Sequence, residues 1–155
     1  LNLIKSFFEN IVIDLCGFSN IEFVASLLRS ADSTLVLTPQ SVPGIVTAAE
    51  LIKSLNDKGI ATQTFDLVVT PYHKDVALDA DAIAKKLNIE HVHVLPDRRS
   101  PLINAVNGGQ VLSATDAKDP YSKAVTQLLD KVNADRKRSE SGGGLTSTFK
   151  KWFNK

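Results

Sequence analysis

An acidic residue follows a short apolar run near the start of the sequence. Ile11, Val12 and Ile13 precede Asp14, and residues 11–15 are predicted to form a strand buried on both faces. A carboxylate at the carboxyl end of such a strand can hold Mg²⁺ through water beside a nucleotide phosphate. Any buried strand that ends in Asp satisfies this pattern. The alternative, in which Asp14 caps the following turn, is therefore equally supported.

A phosphate site of this kind also needs a glycine-rich loop that ends in Lys and Ser or Thr. The sequence has no such loop: Asn107–Gln110 is rich in glycine, but it lacks a lysine and follows no predicted strand. Asp14 also stands too early for a chain in which that loop comes first. We expect either that the first half of the fold lies outside this sequence or that the chain has no nucleotide site. The lack of any Met, even at position 1, favours the first.

Three other groups could do chemistry. His91 and His93 alternate on a predicted strand as a pair of metal ligands would, but no Cys or Glu cluster completes a site, so we predict no metal centre. Arg98 and Arg99 follow that strand, where α/β folds bind ligands, although a solvated loop is the simpler interpretation. Cys16 has no basic activator and is predicted to be a buried, inert thiol. No nucleophile elbow supports hydrolase chemistry, and we assign no catalytic residue.

The last residues form a basic, amphipathic peptide. Residues 136–155 hold six basic groups and one acidic group, whereas the preceding residues are mildly acidic. On a helix, one face would carry the apolar side chains and the lysines would lie off it. We predict that the peptide binds membrane lipids through Leu145, Phe149, Lys150, Lys151, Trp152, Phe153 and Lys155. Docking on a partner's groove or on the chain's own surface are the alternatives, and the acidic body argues against nucleic acid.

The elements that must position these groups alternate between strand and helix patterns. Strands are predicted at 11–15, 34–38, 65–69 and 91–95, and helices at 21–28, 43–55, 79–87, 100–107 and 120–133. Such alternation indicates a three-layer α/β domain with a mainly parallel sheet. The predicted organisation is an α/β domain over 1–133, a flexible linker over 134–144 and an amphipathic membrane-targeting helix over 145–155.

Several segments resemble one protein family. The sequence is similar to the carboxyl-terminal half of MinD/ParA-type P-loop ATPases, in particular the TadZ/CpaE-like branch associated with Flp (tight-adherence) pilus assembly. The segments that carry the resemblance are Phe7–Leu15, as the family's Walker B segment, Ala31–Pro39, Leu95–Asp97 and Ala105–Leu112. The last of these matches the family pattern Ala-x-Asn-x-Gly-x-x-Leu.

The resemblance implies a cytoplasmic protein, peripheral on the inner face of the bacterial plasma membrane, that dimerises and marks a site for pilus assembly proteins. ATP and Mg²⁺ would be cofactors of a complete protein, with Asp14 on the Mg²⁺–nucleotide side. A truncated ParA-like partition ATPase is the alternative. The sequence departs from the family in lacking the P-loop and in having Cys16-Gly17 in place of prolines. It also has Val69-Thr70-Pro71-Tyr72 where many relatives have Asn-Arg, of which the Asn contacts adenine.

Overall fold

The computed structural model describes residue 4 and residues 6–142, with side chains up to residue 134. The elements in chain order are α1 (Ile21–Leu28), β1 (Leu35–Thr38), α2 (Val42–Asp57), a 3-10 turn (Thr62–Thr64), β2 (Asp66–Tyr72), α3 (Ala80–Leu87), β3 (His91–Pro96), α4 (Arg99–Asn107), α5 (Leu112–Thr115) and α6 (Pro120–Gly142). Within these residues, no helix is both long and apolar enough to cross a bilayer.

Side-chain caps precede the first three helices, which begin within one residue of the predicted starts at 21, 43 and 79. The side chain of Asn20 accepts a hydrogen bond from the amide of Phe23 at 3.1 Å, and Ser41 caps α2 in the same way. Asp79 caps α3. Asn88 ends α3 in the left-handed conformation with φ 55°, which Asn tolerates better than most residues. These caps fix where each helix meets the sheet.

The three strands form a parallel sheet in the order β1-β2-β3. Helices α1 to α3 cover one face, where Ala25, Leu67 and Ile83 are fully buried in the larger core cluster. Helix α6 covers part of the other face, where Leu128 packs against Val68 and Leu95. The predicted three-layer α/β class with a parallel sheet is therefore confirmed.

The prediction of a strand at residues 11–15 is wrong. These residues form no strand, and Val12 is 95% exposed. A strand exists only where a neighbour completes its hydrogen-bond ladder, and no strand of the described sheet pairs with this segment. Leu15, at its end, still packs against the larger core cluster.

The last helix extends beyond the predicted residue 133. Helix α6 continues to Gly142, so residues 134–142 of the predicted linker have helical backbone. The physical reason is composition: Ala134 to Glu140 contains neither Gly nor Pro, and Arg, Lys and Glu favour helix. The predicted membrane-targeting helix, residues 145–155, lies outside the described residues.

Candidate functional site

An open cleft of about 270 Å³ lies at the carboxyl ends of β2 and β3. In parallel α/β sheets this edge is where ligands bind, because loops and helix N-termini converge there. The lining residues are Thr70, Pro71, Pro96, Asp97, Arg98, Arg99, Leu102, Ile103 and Tyr121. They come from the ends of two strands, from α4 and from the start of α6.

One wall of the cleft is fixed by an ion pair between α4 and α6. The Nε of Arg98 donates to Oδ2 of Asp119 at 2.8 Å, and its Nη2 lies 2.7 Å from the same oxygen. Asp119 is 4% exposed, and its Oδ1 accepts the amide of Tyr121 at 2.8 Å. The hydrogen bond from Arg98 holds the pKa of Asp119 below its ordinary value, and the same bond raises the pKa of Arg98.

The start of α4 is held by Asp97. Its Oδ1 accepts the amide of Arg99 at 3.0 Å, and its Oδ2 lies 3.6 Å from Nε2 of His73. The amide of Asp97 donates to the carbonyl of Tyr72 at 3.2 Å. These contacts set the direction in which the chain leaves β3 and enters the cleft wall.

Arg99 is the second arginine in the lining of the cleft. It is exposed, and its guanidinium pairs with no carboxylate among the side chains that the structure describes. Beside it, Pro71, Pro96 and Ile103 provide apolar surface. This combination suits a ligand that has both a flat apolar part and a negative charge. Among the described residues, the lining shows no nucleophile in contact with a base.

Gln40, just after β1, holds the loop beside the cleft. Its side-chain amide donates to the carbonyl of Leu78 at 2.6 Å and to that of His73 at 3.2 Å. Its Oε1 accepts the amide of His73 at 2.8 Å. The sequence alone did not indicate these contacts, because the partners of Gln40 are more than 30 positions away in the chain.

The structure places Asp14 as a turn cap. It is exposed, and its Oδ1 accepts the amide of Cys16 at 2.9 Å, which lowers the pKa of Asp14. The predicted Walker B geometry is absent, because residues 11–15 are not a strand and no three potential ligands cluster within the described residues. The capping alternative describes what the structure shows.

Cys16 is exposed, so the prediction of a buried thiol is wrong. The hydrogen bond and charge of Asp14 raise the pKa of Cys16, which disfavours the reactive thiolate. The thiol is therefore expected to be inert because of its acidic neighbour rather than because of burial.

The two strand histidines differ in their surroundings. His93 Nε2 lies 3.0 Å from Oδ1 of Asp66, and Lys131 Nζ lies 3.8 Å from the same oxygen. His91 is exposed. Asp66 is 5% exposed and joins β2, β3 and α6 at the amino end of the sheet. The sequence placed Asp66 within the predicted strand at 65–69, but it did not indicate which residues Asp66 contacts.

No family model matches the sequence, and no curated protein matches it. The crystal structure of a ParA family ATPase from Chlorobium tepidum TLS is similar in fold, with a TM-score of 0.62 at 16% sequence identity. The match covers 82% of this chain and 52% of the ATPase, so the chain spans about half the length of that protein. At this identity the likeness shows the fold.

Proposed function

We propose that the chain is the carboxyl-terminal part of a MinD/ParA-type protein that marks a membrane site for assembly of a Flp (tight-adherence) pilus. The observation that carries the proposal is the similarity in fold to a ParA family ATPase over 82% of the chain. The segments Leu95–Asp97 and Ala105–Leu112, which resemble the TadZ/CpaE-like branch, lie beside the cleft and within the elements that follow it. They support the pilus branch in particular.

ATP and Mg²⁺ are proposed as cofactors of the complete protein only. In this chain the donors do not fit Mg²⁺–ATP: the sequence has no P-loop, and Asp14 accepts a backbone amide at an exposed turn. The lining of the described cleft has no Asn or Gln side chain to read an adenine edge. We therefore assign no hydrolytic step to these residues.

The cleft nevertheless offers what one end of a nucleotide needs. Pro71, Pro96 and Tyr121 supply apolar surface, and Arg99 supplies a positive charge without a described partner. A ligand with a flat ring and an attached anionic group would contact the apolar surface with its ring and Arg99 with its charge. This match supports a ligand-binding role for the cleft in the larger protein and requires no catalytic group.

Membrane association is proposed through residues 145–155. A helix there would carry Leu145, Phe149, Trp152 and Phe153 on one face and would meet anionic lipid with its lysines. One such helix binds weakly, so a homodimer would strengthen attachment through avidity. The proposed location is the inner face of the bacterial plasma membrane, with pilus assembly proteins as partners.

Deletion of the gene tests this function. The expected result is loss of Flp pili, with a fluorescent fusion of the full gene product forming foci at the membrane. Removal of residues 145–155 from that fusion should disperse the foci while leaving its abundance unchanged. Normal pili in the deletion strain would contradict the pilus assignment.

A second candidate is a ParA-like partition factor, which the fold of the matched ATPase family favours. It predicts unstable inheritance of a replicon in the deletion strain and retention of the full protein on nonspecific DNA. That retention should weaken steeply with salt, because phosphate contacts release counterions. Stable inheritance together with no retention at low salt would exclude it.

A further inference from the structure

Helix α4 places apolar side chains on its outer surface. None of its nine residues is buried. Ile103 is 50% exposed and Val106 is 71% exposed, and Val111, shortly after the helix, is 67% exposed. Single exposed apolar residues are common on proteins, whereas several close together usually mark a binding surface. The described part of the chain thus leaves an apolar surface uncovered beside the cleft.

Arg99 lies on the same face of α4 as two of these side chains. Arg99, Ile103 and Val106 are spaced i, i+4 and i+7, which places them in one row along the helix. We call this row the α4 surface. It begins at the cleft, because Arg99 and Ile103 belong to the cleft lining, and Val106 extends it beyond that lining.

The charge of the α4 surface is unbalanced. From residue 98 to residue 115 the sequence has two arginines and no acidic residue, although the residues before 136 are mildly acidic as a whole. Asp119 pairs with Arg98, but Arg99 pairs with no carboxylate among the described side chains. A partner that covers this surface must therefore bring a carboxylate to Arg99, because a buried unpaired cation is costly.

The same surface on a second copy of the chain has no such carboxylate. In a two-fold dimer the same residues face each other, and the α4 surface contains no acidic residue to pair with Arg99. The chain's own tail is also unsuitable, because residues 141–155 carry three lysines and no acidic residue. A lipid surface is disfavoured in turn. Interfacial helices have aromatic anchors and several basic residues, whereas α4 has no aromatic residue and a single basic one.

We propose that the α4 surface docks an acidic amphipathic helix of a partner protein. Apolar side chains of that helix would pack on Ile103 and Val106, and one of its carboxylates would pair with Arg99. Because Arg99 also lines the cleft, the partner helix and an anionic cleft ligand would compete for it. The proposal goes beyond the proposed function and requires neither nucleotide binding nor membrane binding.

Peptide binding to the full native gene product tests the charge preference. The probe is a fluorescein-labelled helical peptide of about 18 residues, with Leu on one face and Glu on the other, and its counterpart has Lys in place of Glu. Fluorescence anisotropy should show that the Glu peptide binds about tenfold more tightly. Arg99→Glu should reverse this preference, whereas Lys85→Glu on α3 should leave it unchanged. Equal binding of the two peptides, or a preference for Glu that survives Arg99→Glu, would overturn the proposal.

Val106→Gln tests the apolar contact. Val106 lies outside the cleft lining, so its effect reports on the α4 surface rather than on the cleft. The change should weaken binding of the Glu peptide about tenfold. Val46→Gln, at a residue of α2 that is 51% exposed, is the matched control and should have no effect. Both side chains are exposed, so Tm should stay constant in both variants. Unchanged peptide binding in Val106→Gln would contradict the proposal.

Photo-cross-linking in the native host identifies the occupant. The full gene product carries p-benzoylphenylalanine in place of Val106, and mass spectrometry of the cross-linked product gives the sequence of the linked segment. We expect a segment of another protein with apolar residues at helical spacing and an excess of Asp and Glu. A cross-link to a second copy, to residues 145–155 or to lipid would overturn the proposal, and so would the absence of any cross-link.

Discussion

The guanidinium of Arg98 holds the buried carboxylate of Asp119 through two nitrogens, at 2.8 and 2.7 Å from one oxygen. This pair joins the residue before α4 to the residue before α6, so both helices start from one electrostatic contact at the rim of the cleft. Asp119 also accepts the amide of Tyr121, which caps α6. The shape of the cleft wall therefore depends on a single carboxylate.

Replacing Asp119 by Asn should remove part of the acid sensitivity of the fold. Arg98 keeps the pKa of Asp119 lower in the folded chain than in the unfolded chain, so on acidification the unfolded state binds the proton first. The stabilisation is fully present above the ordinary Asp pKa of about 4 and is lost as pH falls through the lower folded value. Urea unfolding at a series of pH values should therefore show a flatter acid limb in Asp119→Asn.

The same variant should be less stable at pH 7, with Tm lowered by several degrees, because Arg98 loses its ionised partner. Asp130→Asn, on the exposed side of the same helix, is the matched control and should change neither quantity. Parallel acid limbs for the wild type and Asp119→Asn would contradict the role given to this pair.

Asp66→Ala should destabilise the domain by about 1–3 kcal/mol, because His93 and Lys131 would lose a buried acceptor. The free energy of unfolding in urea measures the effect. His91→Ala, at the exposed histidine of the same strand, is expected to stay within about 0.5 kcal/mol of the wild type. Equal effects of the two changes would show that the Asp66 contacts contribute nothing.

Arg99→Gln should weaken binding of a flat anion in the cleft. With AMP as the probe, titration calorimetry on the folded protein should give weak binding, and the variant should raise Kd about tenfold. That factor corresponds to the loss of about 1.4 kcal/mol, near the low end for a hydrogen bond to a charged group. Lys85→Gln on α3 is the control for net charge. An unchanged Kd in Arg99→Gln would remove Arg99 from the site.

Residues 145–155 should bind anionic vesicles, and the fluorescence of Trp152 should change when they do. Trp152 is the only Trp in the chain, so its fluorescence should shift to the blue with phosphatidylglycerol-containing vesicles and not with pure phosphatidylcholine. The double change Lys150→Gln and Lys151→Gln should weaken sedimentation with vesicles about tenfold or more, at about 1 kcal/mol per lysine. The same change at Lys85 and Lys86 should have little effect. A tail that neither sediments nor shifts would disprove membrane binding.

Cys16 should react slowly with iodoacetamide at neutral pH despite its exposure. Asp14 raises the pKa of the thiol through a hydrogen bond and its charge, so little thiolate is present. Asp14→Asn should lower that pKa and speed alkylation a few-fold at pH 7. If the rate does not change, Asp14 does not control the thiol.

The sequence predicts those parts of the fold that depend on local chemistry. Asn20, Ser41 and Asp79 cap their helices because each can accept a backbone amide three residues ahead. The run Ile11–Ile13 has equally clear strand propensity, yet it forms no strand, because pairing is decided by a neighbour rather than by the run itself.

The site was predictable only in outline. The sequence indicated that Arg98 and Arg99 follow a strand at its ligand-binding end, but it could not separate the paired arginine from the unpaired one. That distinction depends on Asp119, 21 positions later. A signal for Asp119 did exist: an Asp directly before Pro120 is a typical helix start. Asp66 and His93, 27 positions apart, gave no comparable signal.

Helix α6 runs antiparallel to the strands, from Tyr121 at the cleft to Lys131 beside Asp66 at the amino end of the sheet, and it continues to Gly142. At about 1.5 Å per residue, its last eleven residues extend about 16 Å past Lys131. The cleft therefore lies at the amino end of α6, and the chain continues from its carboxyl end at Gly142. If the residues after Gly142 attach to a bilayer, as proposed, the cleft lies at the opposite end of α6 from the point where those residues leave the helix.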